Sequence, residues 1–350
     1  MVRRSPYSAS KTSLPVVNVV WIHPFLEILD ETGGSSEEVL DAADLPVLAI
    51  NDGSILVPTE KIYRFVELAD EITQLPDLGL RAGCRLDLEL LLPSPEEMWK
   101  QPGVFRSLES FIQTALDSSS NVDMWLEPRP DQERALEFFY SGTFDSDHPA
   151  FPTVEQFMLT VMVRWVRWGA GPKLNLLQVN MRARTAPMEE LHQLVGGARI
   201  LSNQRATSIV IPSDQFGGSR QEIPQKDTEI WRRNRESLER SSWSEDLAGS
   251  LRMVLPAYLP DGSPDIQLAA RLTGNSVRTF QRRLKEQGLS FSRLLEDLRH
   301  DLSIFHLRHS NLQIAEISRE LGYRDPAIFT RAFRRWTGKT PSEFRARFIE

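Results

Sequence analysis

Arg278, Gln281, Arg282 and Lys285 recur at helical spacing around Phe280 and Leu284. With those two apolar residues, at i and i+4, turned toward a core, the three cations and the amide share the opposite face. Arginine can fork to the N7 and O6 of guanine and glutamine can pair with adenine, so this face suits base edges in a major groove as well as phosphate. A second, poorer set follows 49 residues later: Phe329 and Phe333 are the apolar pair, and Ala327, Thr330, Arg331 and Arg334 face outward. Arg335 and Lys339 lie close by as candidate phosphate contacts.

Such faces need scaffolds, and the scaffold repeats. Residues 268–287 (LAARLTGNSVRTFQRRLKEQ) and 317–336 (ISRELGYRDPAIFTRAFRRW) align at the same offset, with Leu272/Leu321, Phe280/Phe329 and Arg282/Arg331 identical and Leu284 opposite Phe333. Each copy reads as a short amphipathic helix, a glycine-containing turn (Thr273-Gly274-Asn275; Gly322-Tyr323-Arg324) and a second helix opened by a good N-cap, Ser276 or Asp325. That is helix-turn-helix spacing. Any two helices around a glycine turn can imitate one such match; two at a single offset are much harder to obtain by chance. Between the copies, Phe291, Leu294, Leu295, Leu298, Leu302 and Phe305 form an apolar stripe on a predicted helix of about 18 residues, roughly 27 Å long. A strut of that length can set two reading helices about one DNA turn (~34 Å) apart. Thr340-Pro341-Ser342-Glu343 then supplies a capping box with Pro at the first helical position.

The chain has 350 residues, 41% hydrophobic and 25% charged, enough for two ordinary domains and too order-promoting for a disordered chain. Its net charge of −7 is unevenly spread: residues 265–350 hold 16 Lys+Arg against 10 Asp+Glu, and residues 1–264 hold 25 against 38. A basic C-terminal part points to nucleic acid as its partner. The single cysteine, Cys84, excludes an intramolecular disulfide framework or a multi-thiolate metal site, and is expected to be a buried small hydrophobe. The apolar run Leu14 to Leu29 is interrupted by Asn18, His23, Pro24 and Glu27, and no unbroken stretch follows Arg3-Arg4. Neither a membrane span nor an export signal is expected, and a cytoplasmic, nucleoid-associated location follows.

Residues 1–13 lack periodicity and read as a disordered leader. Beyond them the patterning predicts an α+β domain over 14–216. Ser35 with Glu38 has capping-box spacing; Ile62, Phe65, Val66, Ala69 and Ile72 share one face of a helix opening near Pro58-Thr59; Ser94-Pro95-Glu96-Glu97 is a further capping signal; and Phe105, Leu108, Ile112 and Ala115 mark another helix. Val122, Met124 and Leu126, then Leu136, Phe138 and Tyr140, alternate on either side of Pro128-Arg129-Pro130-Asp131, which predicts a hairpin. A helix from Val154 to Trp165, strand-like pieces at 174–181 and 198–211 and a short helix at 188–195 follow. Residues 217–242 read as a charged linker with a solvated helix, in which Arg232, Arg233 and Arg235 are a solvated face. The all-helical part, 243–350, is expected to fold separately.

Three other constellations hold residues of chemical potential. His306, His309 and His300 come nearest to a cluster, but no Cys or carboxylate stands at ligand spacing, so no metal or cofactor is expected. Asp145, Asp147 and His148 read as turn and capping residues. Trp165 and Trp168 flank Arg167 on a helix, where an aromatic core is the commoner meaning. An apolar pocket with one cation would nevertheless suit a small organic acid, which makes Trp165, Arg167 and Trp168 the candidates for ligand binding.

Residues 243–350 resemble the DNA-binding domain of the AraC/XylS family of bacterial transcription regulators, through RTFQRRLKEQG (278–288), IAEISRELGYRDPAIFTRAFRRWTGKTPSEFR (314–345) and the long helix between. The resemblance implies two helix-turn-helix units joined by that helix. It aligns Arg278, Gln281 and Arg282 with the family's base-contacting positions in the first unit, and Ala327, Thr330 and Arg331 with those in the second. Pro326-Ala327-Ile328 is less polar than in many members, so base specificity is expected to concentrate in the first unit. Residues 55–83 (ILVPTEKIYRFVELADEITQLPDLGLRAG) and 198–216 (ARILSNQRATSIVIPSDQF) resemble the arabinose-binding-type sensor domain of one branch, a match spanning roughly 20–220 with no ligand-specific motif. Together these imply a homodimeric regulator, an activator, that binds double-stranded promoter DNA and RNA polymerase under control of a small organic effector, and that is not an enzyme. One alternative is a DNA-repair methyl acceptor carrying the same DNA-binding domain; its acceptor motif, such as Pro-Cys-His-Arg, contrasts with Gly-Cys-Arg around Cys84. Another is a ligand-independent regulator.

Overall fold

A computed structural model describes residues 14–91, 104–120, 122–129, 135–142, 144, 146–184, 189–212, 244 and 246–347. The expected leader, the Ser94-Pro95-Glu96-Glu97 signal, Asp145, the side chain of Phe105 and the expected linker with Arg232, Arg233 and Arg235 lie outside the described residues. In chain order the elements are β1 (Val16–Asn18), α1 (His23–Glu31), α2 (Ser36–Ala42), β2 (Leu56–Pro58), α3 (Thr59–Thr73), α4 (Leu78–Arg85), α5 (Val104–Ser118), β3 (Asp123–Pro128), β4 (Ala135–Ser141), α6 (Phe151–Ala170), β5 (Gln178–Asn180), α7 (Glu189–Val195), β6 (Arg199–Leu201) and β7 (Thr207–Pro212). Helices alone follow among the described residues: α8 (Leu247–Val254), α9 (Ile266–Leu272), α10 (Val277–Glu286), α11 (Phe291–His309), α12 (Ile314–Glu320), α13 (Pro326–Thr337) and α14 (Pro341–Arg345). Two compact units result, and they do not follow chain order. Among the described residues, those within Trp21–Val39 and Ile62–Trp243 make one; those within Ala9–Val20, Leu40–Lys61 and Ser244–Glu350 make the other.

The first unit is α+β. Its hairpin pairs β3 with β4 in the register Met124↔Tyr140, Leu126↔Phe138 and Pro128↔Leu136, which collects the alternating apolar residues on one face. β7 lies antiparallel to both β4 and β5, and β5 runs parallel to β6, giving the order β3-β4-β7-β5-β6. α6 opens with Pro152 in its first turn and is buried on nearly every side, the mark of a helix inside a core. Phe111 of α5 stacks on Trp165 of α6 at 4.7 Å and meets Phe138 of β4 edge-on at 6.2 Å, tying both helices to the sheet. In α3 the residues Ile62, Phe65, Val66 and Ala69 are buried as their spacing predicts, whereas Ile72 is 48% exposed. It stands in the last turn of that helix, beyond the reach of the core.

The second unit contains residues that the sequence assigns to the sensor part. β1 and β2 pair antiparallel through Val17↔Val57, and the Leu14 N–H donates to Ser250 Oγ of α8 at 3.3 Å. Residues 14–20 and 40–61 are therefore packed with the C-terminal helices, through contacts between positions more than 200 apart.

α11, 19 residues long, runs between the two repeats as expected. Its buried face is Phe291, Leu294, Leu295 and Leu298, then Ser303 and Leu307; Leu302 is only partly buried, and Phe305, expected in the stripe, is 57% exposed. The stripe shifts because the helix serves two cores on different sides. Phe291 meets Phe280 at 5.9 Å, whereas Leu307 belongs with Ile317, Leu321, Phe329 and Phe333.

Candidate nucleic-acid interface

The first helix-turn-helix unit is α9 and α10. Asp265 caps α9 by accepting the Leu268 N–H at 2.7 Å, and Ala269, Ala270 and Leu272 turn inward. Gly274 takes φ +62° in the turn, where a side chain would be strained, and the Asn275 N–H closes back on Ala270 O at 2.9 Å. Ser276 Oγ then accepts the Thr279 N–H at 3.3 Å to start α10. Phe280 and Leu284 are buried, so Arg278, Gln281, Arg282 and Lys285 emerge together as exposed side chains on the opposite face. Arg282 Nε lies 3.8 Å from Glu286 Oε1 with both side chains exposed, a loose pair worth under about 1 kcal/mol that leaves the guanidinium available.

The second unit is α12 and α13, with Gly322 at φ +73° in its turn. Asp325 Oδ1 accepts the Ala327 N–H at 2.8 Å, and Phe329 and Phe333 are buried. Ala327, Arg331 and Arg334 are exposed; Thr330 is half-buried and its hydroxyl donates back to Pro326 O at 2.9 Å. Arg335 is exposed but engaged: its Nη2 lies 2.6 Å from Glu296 Oε1, which also accepts the Trp336 indole N–H at 2.7 Å. Those bonds, Trp336 first and Arg335 second, hold the Glu296 carboxyl below the usual carboxylate range. Lys339 is half-buried, with its N–H donating to Thr337 Oγ1 at 3.3 Å.

Two residues of this surface carry no role in the sequence reading. Ile328 is 45% exposed beside Ala327, an apolar side chain of the kind that can meet a thymine methyl. Its position one residue before the inward Phe329, and so about 100° round the helix from it, is a signal that could have found it. Arg299 of α11 donates from Nε to Leu321 O and from Nη2 to Ser263 Oγ, both at 2.9 Å, and its guanidinium lies 4.7 Å from the centre of the Tyr323 ring. It pins the second unit's turn to the long helix, and burial lowers its pKa. No local spacing announces that role, because its partners lie 22 and 36 residues away.

In the other unit, Trp165 is fully buried and stacked on Phe111, with Trp168 edge-on at 5.3 Å, so Trp165 is a core residue. Arg167 is half-buried, with a buried Nε that meets no hydrogen-bond partner. A polar centre that the sequence reading passed over lies on the same helix. Glu155, completely buried, accepts the backbone N–H groups of Arg182 and Ala183 at 2.7 and 2.8 Å and a short hydrogen bond from the Thr207 hydroxyl. Burial nevertheless raises its pKa, the three donors offsetting only part of the desolvation. Tyr63, pushed up to about 12 by burial, is hydrogen-bonded to Tyr140, and its ring packs against Phe144 and His148 at 4.4 and 5.1 Å.

Cys84, expected to be buried, is exposed: α4 buries Leu80, Ala82 and Gly83, and residue 84 falls on the outer side of that helix. His148 acts in a turn, its Nδ1 accepting the Ala150 N–H at 3.2 Å. Among the described residues no three His, Cys, Asp or Glu side chains are grouped to hold a metal ion, and no helix is long and apolar enough to cross a membrane.

The family model of the arabinose-binding domain of AraC transcription regulators, N-terminal, matches residues 33–216, more than half of the chain. The chain belongs to the AraC family of transcription regulators. A helix-turn-helix domain model matches residues 269–347, from within α9 through α14 of this AraC-family member. It is similar to the ornithine utilization regulator of Pseudomonas aeruginosa, 39% identical over 101 residues, covering 29% of this chain and 30% of that protein. With the HTH-type transcriptional regulator VqsM of the same species it shares 35% identity over 103 residues, 29% of this chain and 32% of that one. The urease operon transcriptional activator of Escherichia coli is 37% identical over 67 residues, 19% of this chain and 23% of that protein. The match thus spans about a third or less of the length of these AraC-family relatives.

Proposed function

We propose that this protein is a sequence-specific DNA-binding transcription regulator that reads double-stranded promoter DNA with two helix-turn-helix units. The observation that carries the reading is the exposed set Arg278, Gln281, Arg282 and Lys285 on α10, held outward by the buried Phe280 and Leu284. Three cations and an amide on one helix face have no structural partner to serve in a core and match base edges and phosphate. The second unit presents Ala327, Thr330, Arg331 and Arg334, with Ile328 as an apolar neighbour, so the first unit carries the larger share of base discrimination. Arg335 stands in the last turn of α13 and Lys339 just beyond its Gly338 cap, where they supply phosphate contact.

The α+β unit is the sensor and dimerisation part. It takes a small organic effector, with Trp165, Arg167 and Trp168 as candidates, and the partly buried edge formed by Arg167 and Trp168 is favoured over the fully buried Trp165. The effector acts by binding one arrangement of the protein more tightly than another. The protein acts as a homodimer in the cytoplasm at the nucleoid, recruits RNA polymerase and activates its target; the likeness to the urease operon activator supports that direction of control. Regulation rather than catalysis is its role, in keeping with the regulators it resembles.

Selection of full-length protein against a randomised duplex library at two salt concentrations tests the central claim. A bipartite preferred sequence with steep salt dependence is expected. Binding without sequence preference would refute base reading.

A further inference from the structure

We propose that Asp44, delivered by the N-terminal stretch 40–61, is a positioning residue for the first DNA-reading helix. The inference rests on the reading of α9 and α10 as a DNA-binding unit. Asp44 follows α2 with φ +54°, a left-handed backbone that few residues other than glycine tolerate and that aspartate accepts more readily than most. Its carboxylate faces α9, and its carbonyl faces Tyr258 in the segment that precedes α9. Its carboxylate meets Arg271 Nη2 at 3.0 Å and Nε at 3.1 Å, a two-pronged engagement of the guanidinium, and takes Lys61 Nζ at 3.0 Å. Its carbonyl accepts the hydroxyl of the buried Tyr258 at 3.0 Å. Burial pushes the Asp44 carboxyl up, but the hydrogen bonds from Arg271 and Lys61 outweigh it and hold the group below the usual carboxylate range.

Arg271 is the decisive partner because of where it stands. It occupies the last turn of α9, directly before the Gly274 turn, and α10 starts six residues later at residue 277 after its Ser276 cap. Fixing the C-terminal end of α9 therefore fixes the origin of the reading helix. Two further contacts from the same stretch support the clamp. Glu60 Oε2 closes on the Gly274 turn, where an added Cβ would stand 3.3 Å from it, and Val47 N–H donates to Asp261 Oδ2 at 3.2 Å. Arg278, Gln281, Arg282 and Lys285 have no such tether of their own to the 40–61 stretch, so their direction depends on α9. A guanidinium fork must meet its base within tenths of an ångström and a few degrees to discriminate, and a small tilt of α10 removes discrimination before it removes attraction to phosphate. The expected signature of a lost clamp is loss of preference confined to one half of the site.

The test uses the full chain and a randomised duplex library, with Asp44→Asn, Arg271→Gln and the double variant. The half read by the first unit is the half that Arg282→Ala relaxes. Each single variant is expected to flatten base preference there by about tenfold, with the other half and the salt slope unchanged, and the double variant is expected to match the singles. Arg271 is an exposed side chain, so Arg271→Gln keeps the test open where Asp44→Asn fails to fold. Wild-type preference retained in Arg271→Gln, or both halves weakened alike with additive singles, overturns the positioning role. A wild-type protein that selects no sequence overturns the DNA-binding reading itself.

Discussion

Glu296 on the long helix α11 and Arg335 on α13 approach to 2.6 Å, and the carboxylate oxygen that takes the arginine also takes the Trp336 indole N–H. One acidic side chain thus locks the end of the second reading helix to the strut between the units. Glu296→Ala is expected to lower stability by about 1 kcal/mol, a modest amount because the pair is open to solvent on the Arg335 side. The sign with pH follows from the depressed carboxyl: its contribution is complete above the ordinary glutamate range and is lost as pH falls through the lower folded value. Urea midpoints for both proteins should differ at neutral pH and converge in acid.

Arg282→Ala is expected to cost ~1–3 kcal/mol on the best site and to relax preference at one or two positions, the usual value of a bidentate base contact. Lys339→Ala should weaken all sequences alike and reduce the salt slope by about one unit. Library binding at two salt concentrations distinguishes the two. If Arg282→Ala leaves the preferred sequence intact while Lys339→Ala changes it, α10 does not lie in the groove with this face.

Phe305 and Leu307 separate the expected stripe of α11 from the observed one. Leu307→Ala removes a buried side chain from the second unit's core and should cost 2–5 kcal/mol, roughly the range for such cavities. Phe305→Ser, at an exposed position, should stay within about 0.5 kcal/mol. Thermal or urea unfolding of the two variants measures the contrast directly.

Glu155 offers a test in the α+β unit. Its pKa is raised, so its contribution to stability is greatest below the ordinary glutamate range and declines as pH rises through the folded value. Glu155→Ala should be destabilising by about 1–3 kcal/mol even so, because it strands the N–H groups of Arg182 and Ala183. Glu155→Gln keeps an acceptor and should flatten the pH dependence of the unfolding midpoint of this unit.

What the sequence by itself determined is whatever local periodicity and capping can encode. The duplicated helix-turn-helix pattern, the buried Phe280/Leu284 and Phe329/Phe333 pairs, the Ser276 and Asp325 caps, and the hairpin that carries Leu126 and Phe138 all depend on residues close in sequence or on one alternating face. Tertiary structure decided which neighbour each face meets. A helical wheel extends the α11 stripe to Phe305, but the second core lies on another side, so Leu307 is buried instead. The same wheel cannot tell that α4 ends its buried face before Cys84, or that Arg335 faces Glu296 across 39 positions. Asp44 and Arg271 are 227 residues apart, and only the folding of residues 40–61 onto the C-terminal helices brings their charges within 3.0 Å. Such pairs leave no local spacing to read, because the chain-closure entropy they must overcome is met by the packing of whole elements rather than by the two residues themselves.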